Sequence, residues 1–336
     1  MSISLKNIKK IAGMPFFLSV SSTALRENEK KMLREINPSG MIYFKRNVEN
    51  CDSLKSLIRS MNSIESIRFH AIDEEGGRVR RLPDGPWSLP SMAELADRNV
   101  DEVAGMIDVL GQKLNDIGIN MNMAPNVDLR SGENISIVGN RSFGETPQKV
   151  TEFASIYVEN ILKNGVFPVL KHFPGHGTTT VDSHKALPVI NKPFNDLYNE
   201  DMLPYRELAN RAGFIMAAHL LHNEISELPA TLSREWMEIL KIRCGFNGIA
   251  MTDDMEMHAL DKYSFYEKMD LFYRSGIDML LVCSGNEDVI MNFFEASVKY
   301  VEKNNAVHEK TKELNAKMNS KFNMLKSLVN NGVKNL

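Results

Sequence analysis

Residues 146–173, TPQKVTEFASIYVENILKNGVFPVLKHF, contain a helix followed by a strand, an alternation that recurs along this chain. In the first two thirds, apolar residues recur every three or four positions, which is the period of an amphipathic helix. Gly165 stands where such a helix is expected to end. The run VFPVLKHF that follows it is short, apolar and rich in strand-forming residues, so it predicts a buried strand.

Seven further β-rich runs are separated by helix-like stretches, such as those that begin at Ser53 and Met92. In chain order the eight runs are PFFLSV, GMIYF, FHAID, INMNMAPNVD, VFPVLKHF, GFIMAAHL, GIAMTDD and DMLLVC. Gly118 and Gly213 mark helix ends in the same way as Gly165. Eight strands alternating with helices predict parallel pairing through right-handed crossovers, and hence an α/β fold, the (β/α)8 barrel. A doubly wound open sheet is the structural alternative.

The length of 336 residues suits a single barrel domain, and no low-complexity linker divides the chain. We therefore predict one catalytic domain over residues 1–336. From residue 304 onward, apolar residues recur at helical spacing: Leu314, Met318, Phe322 and Leu325. This pattern predicts that residues 304–336 form a helical cap packed on the barrel of the same domain.

Composition excludes several classes of protein. The formal net charge of -3 offers no excess of positive charge for nucleic acid, and no run of apolar residues is long enough to span a membrane. The three cysteines are odd in number and far apart, which favours a reducing compartment over a disulfide framework. Lysines followed by an apolar stretch near the N-terminus imitate a secretory signal, but Pro15 interrupts that stretch. We expect a cytoplasmic protein.

Polar residues cluster at the ends of the predicted strands, where barrel enzymes place their chemistry. They occur at four of the eight strand ends: Asp73, Lys171 with His172, His219, and Asp253 with Asp254. A solvated loop also favours charged residues, so no single one of these is decisive. Agreement among four strand ends favours a functional site.

The stretch KHFPGHGTTTVDSH, residues 171–184, holds three histidines. His172, His176 and His184 could form a zinc site, and the first two have the spacing of ligands on one helical face. Pro174 and Gly175 lie between them, and a proline inside a helix costs about 3 kcal/mol, so this segment is not a helix. A zinc site gathered by a loop remains an alternative.

Asp182 and His184 offer acid/base chemistry instead. A carboxylate that accepts a hydrogen bond from one ring nitrogen leaves the other nitrogen free to move a proton. A carboxylate at the end of GIAMTDD would point into the mouth of the barrel, where it could attack an electron-poor carbon. Together these groups describe glycoside cleavage. Because side chains alternate along a strand, only one of Asp253 and Asp254 is expected to face the mouth.

The chain resembles the family 3 glycoside hydrolases, and within them the β-N-acetylglucosaminidases with a single barrel domain. The matching stretches are DEEGGRVRRL from Asp73, IVGNRSFG from Ile137, KHFPGHGTTTVDSH from Lys171, MAAHLLHNEISELPATLS from Met216 and GFNGIAMTDDMEMHAL from Gly245. KHFPGHG followed by DSH is highly specific. The first forty residues and the tail match only loosely.

The resemblance implies a role for each matching residue. Asp253 is the nucleophile, His184 is the acid/base, and Asp182 orients His184. The hydroxyls of the terminal sugar are bound by Asp73, Arg81, Arg141, Lys171 and His172. The implied reaction is a two-step, retaining hydrolysis that needs no metal or organic cofactor. The implied substrate is a small amino-sugar conjugate, a GlcNAc-anhydro-N-acetylmuramic acid peptide from peptidoglycan turnover.

Two departures from the family pattern are Glu74, where glutamine is more common, and the absence of a proline before IVGNRSFG. Glu74 is expected to place an additional acid near the site. Three other functions stay open: a phosphorylase that uses phosphate in place of water, a zinc hydrolase, and a barrel that binds sugar without cleaving it. The sequence does not indicate an oligomeric state.

Overall fold

The computed structural model describes residues 4–132, 137–177, 179 and 186–332, and the side chains up to residue 327. Within these residues the chain forms nine strands: β1 Phe16–Leu18, β2 Gly40–Tyr43, β3 Phe69–Ile72, β4 Met121–Asn122, β5 Phe167–Pro168, β6 Leu170–Phe173, β7 Phe214–Ala217, β8 Ile249–Asp254 and β9 Met279–Val282. The α-helices are α1 Leu5–Gly13, α2 Glu27–Ile36, α3 Cys51–Met61, α4 Met92–Leu95, α5 Val100–Ile117, α6 Pro147–Lys163, α7 Phe194–Asn199, α8 Leu203–Ala212, α9 Arg234–Glu238, α10 Phe265–Ser275, α11 Glu287–Lys303 and α12 Ala306–Gly332.

All of the strand pairs are parallel, in the order β5-β4-β3-β2-β1-β9-β8-β7-β6. β5 and β6 are the two halves of the run VFPVLKHF and are separated only by Val169. The first half pairs with β4 and the second half pairs with β7, so this one run closes the ring. The predicted barrel of eight alternating units is confirmed, and the open sheet is excluded.

The helical stretch that begins at Met92 differs from its prediction, because it forms two helices, α4 and α5. Asn99 separates them: its side chain accepts a hydrogen bond from the N–H of Asp101 and begins a new helix. Asparagine competes for backbone donors in this way, which favours a helix start over a helix interior. The predicted helix end at Gly118 is confirmed, where φ is 92°.

The long helix α12 covers the N-terminal end of the barrel, as the spacing of its apolar residues predicted. Phe322 packs against Phe69 and Phe167 at the starts of β3 and β5, with ring centroids 4.8 and 5.8 Å apart. Leu314, Met318 and Leu325 of the same helix are buried. The C-terminal ends of the strands lie at the opposite end of the barrel. Cys51, Cys244 and Cys283 are free thiols, and among the described helices none has the length and apolarity to cross a membrane.

Candidate active site

An open cavity with about 760 Å³ of empty space lies at the C-terminal ends of the strands. Six residues to which the family resemblance gave a role lie in its wall: Asp73, Arg81, Arg141, Lys171, His172 and Asp253. Asp182 and His184, the predicted acid/base pair, lie outside the described residues. The structure therefore brings together side chains from β6, β8 and the segments that follow β3 and β4.

The loop after β3 folds back so that Arg81 returns to Asp73. The N–H groups of Glu75 and Gly76 both donate to the carbonyl of Val79. Gly76 has φ 103°, and a Cβ there would lie 2.3 Å from the carbonyl oxygen of Pro90, so only glycine fits. The turn brings Arg81 Nη2 to 3.3 Å from Asp73 Oδ2.

Glu74 turns its carboxylate away from the cavity and into this loop. Its Oε2 accepts hydrogen bonds from the N–H groups of Arg81 at 2.7 Å and Leu82 at 2.9 Å. Burial raises the pKa of Glu74, and these two hydrogen bonds oppose the shift. The additional acid expected at the site is therefore a buried acceptor that holds the loop, because the loop supplies two N–H groups that point inward.

Glu75 is a cavity residue that the sequence analysis did not select. Its Oε1 lies 2.6 Å from Lys171 Nζ and 2.7 Å from Arg141 Nη2, and its Oε2 accepts from Arg141 Nε at 2.8 Å. Burial alone would raise the pKa of Glu75, but the charges of Lys171 and Arg141 hold it well below its usual range. Glu75 thus fixes the two cations while Lys171 Nζ also donates to Asp73 Oδ1 at 2.9 Å. The only sequence signal was its place inside the motif DEEGG.

His172 is held from behind by Asp128, a second residue that the sequence did not reveal. Asp128 Oδ2 lies 2.7 Å from His172 Nδ1, and Asp128 Oδ1 accepts from the N–H of His176 at 3.1 Å. Burial favours a raised pKa for Asp128, yet His176 and His172 bring it down to about 2. The other ring nitrogen, His172 Nε2, faces the cavity 3.5 Å from Arg141 Nη2.

Of the three histidines in the alternative zinc site, the structure describes His172 and His176, and His184 lies outside the described residues. His172 lies in β6 and His176 in the loop after it, so the segment is not a helix, as Pro174 and Gly175 indicated. Ligand atoms of His172, His176 and Asp128 lie within 4.8 Å of one another, which is close enough to hold a metal ion. In the structure both Nδ1 atoms have protein partners, Asp128 for His172 and the hydroxyl of Thr179 for His176. Burial lowers the pKa of His176 to about 4, so this ring is neutral at physiological pH.

Both Asp253 and Asp254 line the cavity, so the prediction that only one would face it is wrong. The pairing of β8 with β9 is irregular between Met251 and Asp254, and this irregularity breaks the alternation of side chains. Asp254 Oδ1 accepts from the N–H groups of Glu256 at 3.1 Å and Cys283 at 3.3 Å.

The two neighbouring carboxyls differ in their protonation. Burial would raise the pKa of Asp253, but His219, His172 and the N–H of Asp254 lower it below its usual value. Asp254 has its pKa raised to about 7 by burial and by the charges of Glu256 and Asp253. Asp253 is therefore an ionised carboxylate facing the cavity, and its neighbour is the more readily protonated group.

His219, the polar residue carried by the sixth predicted strand, is buried behind Asp254. Its Nε2 lies 2.9 Å from the carbonyl oxygen of Asp254, and its Nδ1 lies 2.7 Å from Thr231 Oγ1. It does not line the cavity.

The cavity as a whole places one ionised carboxylate, Asp253, beside cationic donors such as Lys171 and beside a second carboxylate, Asp73, that can accept hydrogen bonds. This arrangement suits attack on a polyhydroxylated substrate.

Residues 7–318 match the family described as the glycosyl hydrolase family 3 N-terminal domain. The chain belongs to glycosyl hydrolase family 3. Among its relatives is a protein named β-hexosaminidase from Thioalkalivibrio sulfidiphilus, 34% identical over 287 residues, which are 81% of each chain. A second β-hexosaminidase, from Tolumonas auensis, is 32% identical and covers 82% of this chain and 84% of its own.

Solved structures agree with this family 3 membership. NagZ from Neisseria gonorrhoeae in complex with N-trifluoroacetyl-D-glucosamine superposes with a TM-score of 0.77 at 28% identity, covering 94% of this chain and 98% of its own. A family 3 β-N-acetylglucosaminidase from Paenibacillus sp. superposes with a TM-score of 0.88 at 28% identity. This chain spans 63% of the length of that second protein. The prediction of a family 3 glycosidase with a barrel fold is confirmed.

Proposed function

We propose that this family 3 glycosidase is a retaining exo-β-N-acetylglucosaminidase that removes terminal, non-reducing GlcNAc from small conjugates. The observation that carries the proposal is the ionised Asp253 in the wall of a cavity that also holds Asp73 and Lys171. The names of the relatives from Thioalkalivibrio and Tolumonas, both β-hexosaminidases, support an amino-sugar substrate.

In the proposed first step, a carboxylate oxygen of Asp253 attacks the anomeric carbon and the glycosidic bond breaks. His184 protonates the departing oxygen, and Asp182 holds its ring. In the second step His184 takes a proton from water, water attacks the anomeric carbon, and the bond to Asp253 breaks. The anomeric configuration is inverted twice and is thus retained.

The cavity wall supplies the hydrogen bonds that the terminal sugar needs. Asp73 accepts from hydroxyl groups, while Lys171 and Arg81 donate to them. Arg81 lies in the cavity wall, where its Nη2 is 3.3 Å from Asp73 Oδ2. Burial would lower the pKa of Lys171, but Asp73 and Glu75 raise it, so this donor is charged.

Small muropeptides are the proposed natural substrate: GlcNAc linked to an anhydro-N-acetylmuramic acid peptide. The resemblance of the motifs to family 3 enzymes of cell-wall turnover supports this choice. A cytoplasmic location belongs to the same proposal, and the three widely spaced cysteines support it. A small amino-sugar conjugate is thus the proposed partner of this protein.

Hydrolysis of the aryl β-glycosides of N-acetylglucosamine and of glucose, measured side by side, tests the proposal. We expect turnover of the N-acetylglucosaminide alone, with the β-anomer as the first product in proton NMR spectra. Asp253→Asn should abolish turnover, and the matched neighbour variant Asp254→Asn should retain it. An α-anomer as first product, or a fully active Asp253→Asn, would contradict the proposal.

Two further arms of the same assay separate the alternatives. Addition of inorganic phosphate distinguishes a phosphorylase, which would release a sugar 1-phosphate in place of the free sugar. Exhaustive chelation distinguishes a zinc hydrolase, which would lose activity and regain it with Zn²⁺. We expect free sugar in the first arm and unchanged turnover in the second.

A further inference from the structure

Asp128 lies behind the cavity wall, at the point where β6 ends. It is fully buried, and neither of its oxygens lines the cavity. Its Oδ1 lies 3.4 Å from the N–H of His172 and 3.1 Å from that of His176, and its Oδ2 lies 2.7 Å from His172 Nδ1. The Asp128 carboxylate therefore contacts both the backbone at the end of β6 and the imidazole ring of His172.

This contact determines which nitrogen of His172 carries the proton. An ionised carboxylate only accepts hydrogen bonds, so His172 Nδ1 must be the N–H that donates to Asp128. The opposite nitrogen, Nε2, lies 3.5 Å from Arg141 Nη2, which makes its short contact, 2.7 Å, with Glu75 Oε1. A proton on Nε2 would face this donor, so the arginine also favours a lone pair there and leaves it open to a ligand. Both neighbours thus favour the same arrangement, with a proton on Nδ1 and the lone pair on Nε2.

We propose that Asp128 is a positioning residue that fixes His172 as a hydrogen-bond acceptor toward a hydroxyl of the bound sugar. The expected effect of Asp128 on catalysis rests on the proposed function, whereas the position of the proton on His172 does not. Lys171 and the arginines of the wall are all donors, while the Asp73 carboxylate is already shared between Lys171 and Arg81. An acceptor at His172 Nε2 therefore supplies what the cationic side of the wall lacks.

Asp128→Asn is the decisive variant because it preserves shape and reverses one hydrogen bond. Its Oδ1 can still accept from the two backbone N–H groups, while its Nδ2 donates to His172 Nδ1. The ring must then carry its proton on Nε2, facing Arg141 and the sugar as a donor. We expect kcat/KM to fall by about 10- to 100-fold, the range for one lost hydrogen bond to a charged or strongly oriented group.

The tautomer is read directly from ¹⁵N chemical shifts of histidine-labelled protein, with His172→Gln assigning the signal. The spectra are recorded over a pH series, so that the neutral form of the ring is identified from its own chemical shifts. The wild type is expected to show the Nδ1–H form and Asp128→Asn the Nε2–H form. An Nε2–H form in the wild type would overturn the proposal. This measurement needs neither a folded variant nor an active enzyme.

Asp201→Asn is the matched control. Asp201 is also buried, packs on the same loop at Gly175 and accepts from Lys192 Nζ at 2.6 Å, but it does not contact His172. We expect this variant to leave the His172 tautomer unchanged. A tautomer change in Asp201→Asn would show that loop disturbance alone is sufficient, and would contradict the assignment to Asp128.

A double-mutant cycle with His172→Ala separates positioning from mere support of the loop. If Asp128 acts through the ring, Asp128→Asn should cost far less in the His172→Ala background than in the wild type. Equal costs in both backgrounds would place its effect in the backbone contacts and overturn the proposal. A wild type inactive on every glycoside, but with the Nδ1–H tautomer, would refute the proposed function and leave the tautomer assignment intact.

Discussion

Lys171 Nζ and Glu75 Oε1 lie 2.6 Å apart in the wall of the cavity, and both side chains are almost fully buried. Arg141 binds the same carboxylate through two nitrogens. Glu75 therefore compensates two cations that are taken out of water to serve as donors. Since a buried charge without a partner is costly, this carboxylate supports both the fold and the site.

Glu75→Gln should strongly destabilise the protein at neutral pH. Breaking a buried ion pair costs about 3–5 kcal/mol, and urea unfolding at about pH 7 measures the loss. Because the pKa of Glu75 is depressed in the folded state, its contribution is present above the ordinary carboxyl pKa and is lost as pH falls. The difference between wild type and variant should therefore shrink in acid.

Glu35→Gln is the matched control for that experiment. Glu35 lies the same distance, 2.6 Å, from Lys9 Nζ, but both side chains are exposed. Exposed pairs contribute about 0–1 kcal/mol, so this variant should unfold nearly like wild type. Equal destabilisation by the two substitutions would contradict a special role for Glu75.

Asp254→Asn should change how stability depends on pH. The pKa of Asp254 is raised to about 7, so between its ordinary value and about 7 the folded state keeps a proton that the unfolded state releases. Wild type therefore loses stability as pH rises across this window, and the variant lacks that loss. Thermal unfolding at about pH 5 and about pH 8 checks this; parallel profiles for the two proteins would refute the shifted titration.

Glu74→Gln should leave kcat/KM near the wild-type value, because a glutamine oxygen can accept from the same N–H groups of Arg81 and Leu82. Glu74→Ala leaves both donors buried without an acceptor, at about 1–3 kcal/mol each. Urea unfolding and aryl glycoside hydrolysis measure the pair of variants. A large loss of activity in Glu74→Gln alone would show that the charge itself acts at the site.

His184→Ala should affect substrates according to their leaving group. A poor leaving group needs protonation as the glycosidic bond breaks, whereas an activated aryl oxide needs little. We therefore expect a large loss of kcat/KM on an unactivated disaccharide and a small loss on a nitrophenyl glycoside. Equal losses on both substrates would count against His184 as the acid.

The fold was predictable because each strand and helix is encoded locally. The eight β-rich runs and the glycines that end helices carry their own signals, and all eight runs form strands. The division of the stretch from Met92 was missed because Asn99 acts through its hydrogen bond to Asp101, which competes with the continuous apolar period.

The place of a residue in the cavity wall was predictable where it stands at a strand end within a specific motif, as Asp73, Lys171 and Asp253 do. Glu75 and Asp128 were missed because their importance lies in partners from distant parts of the chain, Arg141 and His172. Charge pairing across a barrel has no local signature. The presence of both Asp253 and Asp254 in the cavity wall was missed because a register irregularity between two strands is not encoded in either strand alone.

Trapping the glycosyl-enzyme tests directly whether Asp253 is the nucleophile of a retaining glycosidase. In His184→Ala, a nitrophenyl N-acetylglucosaminide should still form the covalent intermediate, and slow activation of water should let it accumulate. Mass spectrometry of the digested protein should then find one added N-acetylglucosaminyl group on the peptide that contains Asp253, attached to the Asp253 side chain. Attachment at any other residue, or release of the inverted sugar without an adduct, would contradict the account.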